Sequence, residues 1–572
     1  MIMNHYTQWF SGLKLGSLVL VAGIFASSCA ENQEVEAQAQ PEVQEVKHPY
    51  LAHEKLATTH FDLKQSDNFT QPVPKGFYNI DPKDTARVQR VPAGPVNIIT
   101  LKSTEKGFWW ALATDKVTYI DGRNGGWSAV SSYTLPKVAL ISVENLDAVL
   151  DNAYVSSDEL AKDYYEYWAP SPMQNPTLRM MTGNSIYATV DKDNSLYLTA
   201  SGHIYKLNMV DGEVAMTSSI ELKSQMAVPD ALKDVIPLEK IPGGIQGVNI
   251  GYDGTIFVGT IFGLMAVEQD LSAVVDKFSF PIQAFFSNFP PKPGETPEFI
   301  SNSFSIDTDN SVYVATGNSI NKVVWKDRKF SIDPADGAWS EPYNTGDKTP
   351  TIKYGTGTGS TPTLMDVGDD HLVVFTDGAN RMHLCAFYRE PREGGQFADS
   401  IVVNCGFERG PRFIQSEQSV ATLGNGAFVV NNIAPEPEGL RDFDATNQVS
   451  DLIFNVLAVG PIVKPGRGIE KFNWDEATHK WTRGWSNSKV SSTSMVPAVS
   501  SSSNIVLINT YNQERGWQVL GYDWESGMLV HEVNMGKTSY GNGAYALIEY
   551  FENGDLLFNG IGGPMRIRLS EQ

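Results

Sequence analysis

The chain has 572 residues, with 44 Lys and Arg against 66 Asp and Glu, for a formal net charge of -22. That balance argues against a nucleic-acid backbone or an anionic bilayer surface as the main partner, since both repel an acidic protein. The other reading of the charge is a solvated acidic surface that keeps a secreted protein soluble. Hydrophobic residues make up 41% and there are 49 Gly, so a large core is available to a turn-rich chain.

Residues 1–28 read as a lipoprotein signal peptide. Lys14 is their only formal charge, the apolar run 15–26 is too short to span a bilayer as a permanent helix, and small residues follow. The segment Ala26-Ser27-Ser28-Cys29 resembles a bacterial lipobox. That resemblance implies acylation of Cys29 and a lipid anchor in a membrane leaflet, and Ala30 resembles the outer-membrane form of the sorting rule. An ordinary secretory signal with an incidental Cys stays open. Residues 29–49, rich in Glu, Gln, Ala and Pro, are expected to form a disordered tether. Residues 50–95 form an irregular N-terminal wrap, expected to run outside the fold or to supply an edge strand that closes it.

From residue 96 to 572 the chain repeats. The best copy spans 355–390: an alternating strand 363–367, a Gly-Asp turn 368–370, a strand 372–376, a turn 377–380 and a strand 382–388. Degraded copies begin near Val96, Ser185, Gly247, Phe304, Ser419, Met495 and Ala544. Their turn tips recur roughly every 60 residues, a period that suits a four-stranded blade with generous loops. A thin twisted sheet cannot bury both faces alone, so copies must stack. The expected fold is all-β, a single propeller of eight blades (seven being the alternative). A helical insertion is expected over about 145–168, with Asp158 as candidate N-cap.

The segment 521–533, GYDWESGMLVHEV, resembles the repeat of pyrroloquinoline-quinone-type propellers, and 475–485 and Asp211-Gly212-Glu213 are weaker echoes. The resemblance implies the quinoprotein-like eight-bladed class, in which Trp residues dock neighbouring blades. A lipidated propeller of this repeat also resembles the lipoprotein subunit of the outer-membrane β-barrel assembly machinery. The quinone-dependent dehydrogenases of the class carry an adjacent Cys pair, which this sequence lacks, as it lacks Cys-x-x-Cys-His. No cofactor is therefore expected.

Cys385 and Cys405 flank a turn-rich loop. Pairing about Gly394-Gly395 would set them opposite each other, so a disulfide is expected, with two separate buried thiols as the alternative. No zinc spacing is present, and the Asp-rich tips read as hairpin turns rather than calcium loops, so no metal is expected. His383 stands beside the turn that holds Asp377 and Arg381. Its plain reading is a strand-end His bonded to its own turn. The aromatic stretches 108–110, 164–168 and 474–485 read as core between blades, with sugar stacking as the alternative.

A polar residue precedes the first strand of successive units: Asn184, Gln246, Asn302, Thr361, Glu417 with Gln418, Thr493, and Asn542. In a propeller these positions ring the channel mouth. Gln246, Asn302, Thr361, Glu417, Gln418, Asn542 and Arg381 are the candidate ligand-binding set; the plain reading is that they cap strands and hold water. Glu417, with Arg412 upstream and His383, forms a weak catalytic candidate set. The expected function is a binding or assembly module tethered at the outer membrane, periplasm-facing or on the cell surface, taking a protein or a small polar or sugar-like ligand. The alternative is a hydrolase or lyase acting at the same mouth.

Overall fold

Short alternating strands joined by two-residue turns can pair only as tight hairpins, and the best repeat copy does so. Thr363–Val367 pairs antiparallel with Asp370–Thr376, so that Val367 faces Asp370 across Gly368-Asp369. Gly368 has φ 54, a left-handed conformation that favours glycine in this turn. His383–Tyr388 and Phe397–Val402 complete the sheet.

This computed structural model describes residues 47–570, apart from 97, 139, 169–183, 211–218, 229–230, 232–244, 281–299, 301, 348–354, 437, 442–447 and 494. Among the described residues the strands form eight sheets, one per repeat. Numbered along the chain, the blades span 99–134, 188–227, 245–279, 305–342, 363–402, 421–487, 498–536 and 548–567. The protein is an eight-bladed β-propeller, as the repeat count and the Gly521–Val533 resemblance led us to expect. In blade 4 the outermost position is shared by Lys329–Ser331 and Trp339–Pro342, which both pair with Ser319–Lys326.

Indole N–H groups dock one blade on the next. Trp110 donates to Asn194 Oδ1 (3.0 Å), Trp325 to Asp253 Oδ2 (2.8 Å) and Trp474 to Asp370 Oδ2 (2.9 Å). Phe108, Trp109, Trp110, Tyr164, Trp168, Trp474 and Trp481 are buried and Tyr165, Tyr167 and Trp485 half-buried, so most large aromatics of those stretches pack as core. The Asp tips serve their own hairpins: Asp191 Oδ1 accepts from the Asp193 and Ser195 amides, and Asp309 Oδ1 from that of Ser311.

The N-terminal segment supplies three strands, β1 (Asn68–Phe69), β2 (Gly76–Asn79) and β3 (Val88–Arg90). β1 pairs parallel with the innermost strand of blade 7, β2 parallel with its outermost, and β3 antiparallel with Gly563–Ile567 as the fourth strand of blade 8. The last blade thus takes its outer strand from the start of the chain, which ties the ring shut.

The helical insertion is present but divided. α1 (Val143–Leu150) and α2 (Ser157–Asp163) are capped by Ser142 and Ser156, whose side chains accept from the Asn145 and Glu159 amides. Asp158 therefore lies in the first turn of α2 instead of at its cap, and a π-turn over Tyr164–Trp168 follows. A third helix, α3 (Gln448–Ala458), leaves blade 6 between its second and third strands. Leu146, Leu150, Leu160 and Tyr164 pack with Ile453, Phe454 and Leu457 over Tyr540 and Ile561, so the helices make one cap. No helix among the described residues is long and apolar enough to cross a membrane.

The expected disulfide does not form. Cys385 and Cys405 are both free and buried. The hairpin is tighter than the sequence suggested and sets Cys385 opposite Ser400. Cys385 packs with Phe375 and Phe387, whereas Cys405 packs with Met382, Val403 and Ile414, in two separate clusters. Burial pushes both thiols well above their ordinary pKa.

Candidate functional site

Every blade begins with its innermost strand, so all these strands start on one face of the ring, the mouth face, and end in hairpins on the other, the turn face. The cap helices sit in connections that begin and end on the mouth face. The axis itself is filled from the turn face.

Residues 56–69 circle inside the ring and touch the blades in chain order. The Leu56 and Ala57 carbonyls accept from Lys102 of blade 1 and Val190 of blade 2, each at 2.7 Å, and Thr58 Oγ1 meets Asn249 of blade 3 at 2.5 Å. The carbonyls of Leu63, Lys64, Ser66 and Asp67 accept the amides of Ile306, Leu364, Thr422 and Val499, in blades 4, 5, 6 and 7. Phe69 then stacks on Tyr550 of blade 8, with centroids 6.3 Å apart. So tight a circle needs reversed curvature, and Leu56, His60, Phe61, Gln65 and Asp67 all adopt positive φ between 52 and 72.

The interior of this plug is ionic. Asp62 binds the Lys55 ammonium and the Ser66 hydroxyl; burial opposes its charge, but these partners win and hold its pKa below the ordinary value. His60 Nδ1 lies 2.8 Å from Asp67 Oδ1, and burial pushes the Asp67 carboxyl up to about 6 despite that histidine.

The predicted mouth residues largely latch blade to blade. The Asn302 amide donates to the Gly359 carbonyl and its oxygen lies 3.3 Å from Tyr187 Oη. Glu417 lies against Gly359, and its amide donates to Asn432 Oδ1 at 3.2 Å. Gln418 Nε2 donates to the Ser492 carbonyl (3.3 Å) and Asn542 Nδ2 to that of Val456 in α3 (2.9 Å). Gln246 is the half-buried bulge residue between Ile245 and Gly247, and Thr361 is buried. Arg381 Nη2 donates to Asn404 Oδ1 at 2.7 Å.

His383, Arg412 and Glu417 come from one loop cluster at blades 5 and 6, yet each has its own attachment. Arg412 is exposed and pairs with Asp347 at 2.8 Å. His383 Nδ1 donates to buried Asp377 Oδ2 (2.7 Å), which also accepts from Asn344 (3.1 Å); the Asp377 hydrogen bond raises the His383 pKa against the effect of burial. This is the strand-end His bonded to its own turn. It fixes the tautomer and leaves Nε2 as the ring's acceptor whenever the imidazole is neutral.

Several buried atoms around the axis have no partner among the described residues: Ser185 Oγ, Ser305 Oγ, Gln418 Oε1 and Thr493 Oγ1 near the starts of innermost strands, and Gln65 Oε1 in the plug. Buried polar groups of this type are normally met by water or a ligand. The plug carried no sequence signal, since 47–69 lacks any apolar period. α3 did carry one, in apolar positions Val449, Leu452, Ile453, Val456 and Leu457 at helical spacing.

No family model matches the chain. An uncharacterized protein of Archaeoglobus fulgidus is 27% identical over 468 residues, covering 78% of each chain. Among solved structures, BamB of Moraxella catarrhalis is similar with a TM-score of 0.35 and 12% identity, over 66% of this chain and 95% of its own. A europium-containing methanol dehydrogenase is similar with a TM-score of 0.46 and 11% identity over 88% of both. A functionally unknown protein of Desulfotomaculum acetoxidans has a TM-score of 0.33 and 8% identity, over 74% of this chain and 94% of its own.

Proposed function

We propose that this chain is a binding module, held at the bacterial outer membrane by a lipid on Cys29, that takes a small polar ligand or a segment of a partner protein at its mouth face. The supporting observation is the combination of a channel stoppered by residues 56–69 and partnerless polar atoms, Ser185 Oγ, Ser305 Oγ, Gln418 Oε1 and Thr493 Oγ1, near the starts of the surrounding strands. Hydroxyl and amide groups left without partners beside a stoppered axis suit hydroxyl-rich or amide-bearing molecules. Glu417 and Arg381 stand at the rim. Native mass spectrometry of the purified, lipid-free chain tests the reading: a retained small polar molecule is expected, and Thr493→Val should weaken its binding about fivefold, the ~1 kcal/mol of one neutral hydrogen bond. A chain that retains nothing, and binds neither sugars nor envelope peptides in solution, overturns it. The anchor is tested separately, by the mass of the N-terminal peptide of the membrane-extracted protein.

The second reading, a hydrolase or lyase at the same mouth, is favoured by one observation, the Asp377–His383 pair. Its test is turnover of a retained ligand that disappears in His383→Gln.

A further inference from the structure

The seam where blade 8 meets blade 1 contains a carboxyl group that the fold treats as an acid, not as an anion. Glu549, in the innermost strand of blade 8, is fully buried, and its Oε2 has no partner among the described residues. Across the seam Thr100, in the innermost strand of blade 1, places Oγ1 3.0 Å from Glu549 Oε1 and 3.1 Å from Asn559 Oδ1. The amide orientation of Asn559 is set by its Nδ2, which donates to the Leu547 carbonyl at 3.0 Å and lies 3.4 Å from Glu549 Oε1.

Counting hydrogens decides the rest. Asn559 Oδ1 is an acceptor only, so within this contact it is satisfied only if the single Thr100 hydroxyl hydrogen goes to it. The remaining contact, Thr100 Oγ1 to Glu549 Oε1, then lacks a hydrogen unless the carboxyl carries one. An ionised Glu549 would leave two acceptors facing each other over one proton in a dry seam. We propose that Glu549 is protonated at neutral pH and donates to Thr100, forming a proton-dependent latch between the last blade and the first. Burial as the dominant influence, raising the Glu549 pKa to about 8, points the same way. The charged group facing Glu549 is Lys102 of blade 1, which favours the ionised carboxyl less than burial opposes it and whose ammonium also lies 3.9 Å from Glu552.

The sign of the pH effect follows. The folded state keeps a proton that the unfolded chain releases near pH 4.5, so the latch is strongest in acid. Its contribution falls by about tenfold in the folding constant per pH unit between about 4.5 and 8, and is flat above. The test uses the whole chain. Infrared difference spectra of wild type against Glu549→Gln at about pH 7 should show one protonated-carboxyl band that bleaches as the wild type is taken to about pH 10. The amide of Glu549→Gln can donate to Thr100 as the acid does, so this variant should fold and lose the corresponding part of the pH slope in urea titrations. If Glu549→Gln fails to fold, the band in the wild type alone decides, by titrating near pH 8 or by being absent. Absence of a protonated-carboxyl band at about pH 7, or parallel pH slopes for the two proteins, overturns the proposal.

Discussion

At the scale of single residues, His383 and the two thiols separate local from tertiary causes. His383 keeps its raised pKa only through Asp377. Asp377→Asn should therefore lower the His383 pKa, measured by the pH dependence of its imidazole NMR signals. In the folded wild type a raised histidine pKa adds stability below the unfolded value, and this is lost as pH rises through the folded value. Cys385 and Cys405 are both buried and unpaired, so they should be silent to a thiol reagent in the native protein and titrate as two thiols on unfolding. The turn holding Asp377 was legible beside His383 because both lie within seven residues. The thiol pairing was not legible. It depends on whether the hairpin closes at 392–393 or at 394–395, and such a slip sends a side chain to the other face of a sheet.

At the scale of elements, β3 and the last blade close the ring together. Arg566 lies beside β3, where its neighbour Ile567 pairs with Val88. Its Nε and Nη2 bind Asp555, each at 2.8 Å, and its Nη1 donates to the carbonyls of Gly122 and Gly126 in blade 1. Both side chains of this ion pair are at most 5% exposed. Arg566→Met would leave the Asp555 carboxylate buried without its cation, and should cost about 3–5 kcal/mol in chemical denaturation. Arg566→Met combined with Asp555→Leu should recover part of that loss. The strands themselves were legible, since alternation and Gly-Asp turns recur in each copy. The split between α1 and α2 was not, because two serine caps compete with one continuous apolar pattern and packing on α3 decides between them.

At the scale of the whole molecule, residues 47–95 belong to the wheel. They fill its axis, bond to blades 1 to 7 in turn, and provide the outer strand of blade 8. A chain starting at residue 96 should lose its cooperative thermal transition and its hydrogen-exchange protection along the innermost strands. Retention of both would mean that the ring closes without its plug. The sequence by itself determined the repeat, a ring of seven or eight blades and the core role of most large aromatics, because a two-residue period and tight-turn chemistry are written in neighbouring residues. Only the tertiary structure decided what fills the channel, which mouth residues are spent as latches, and where an unpaired carboxyl is buried. Those outcomes depend on contacts between positions hundreds of residues apart, such as Thr100 with Glu549 and Asp67 with Val499, and no local pattern encodes which partner a buried polar group will meet.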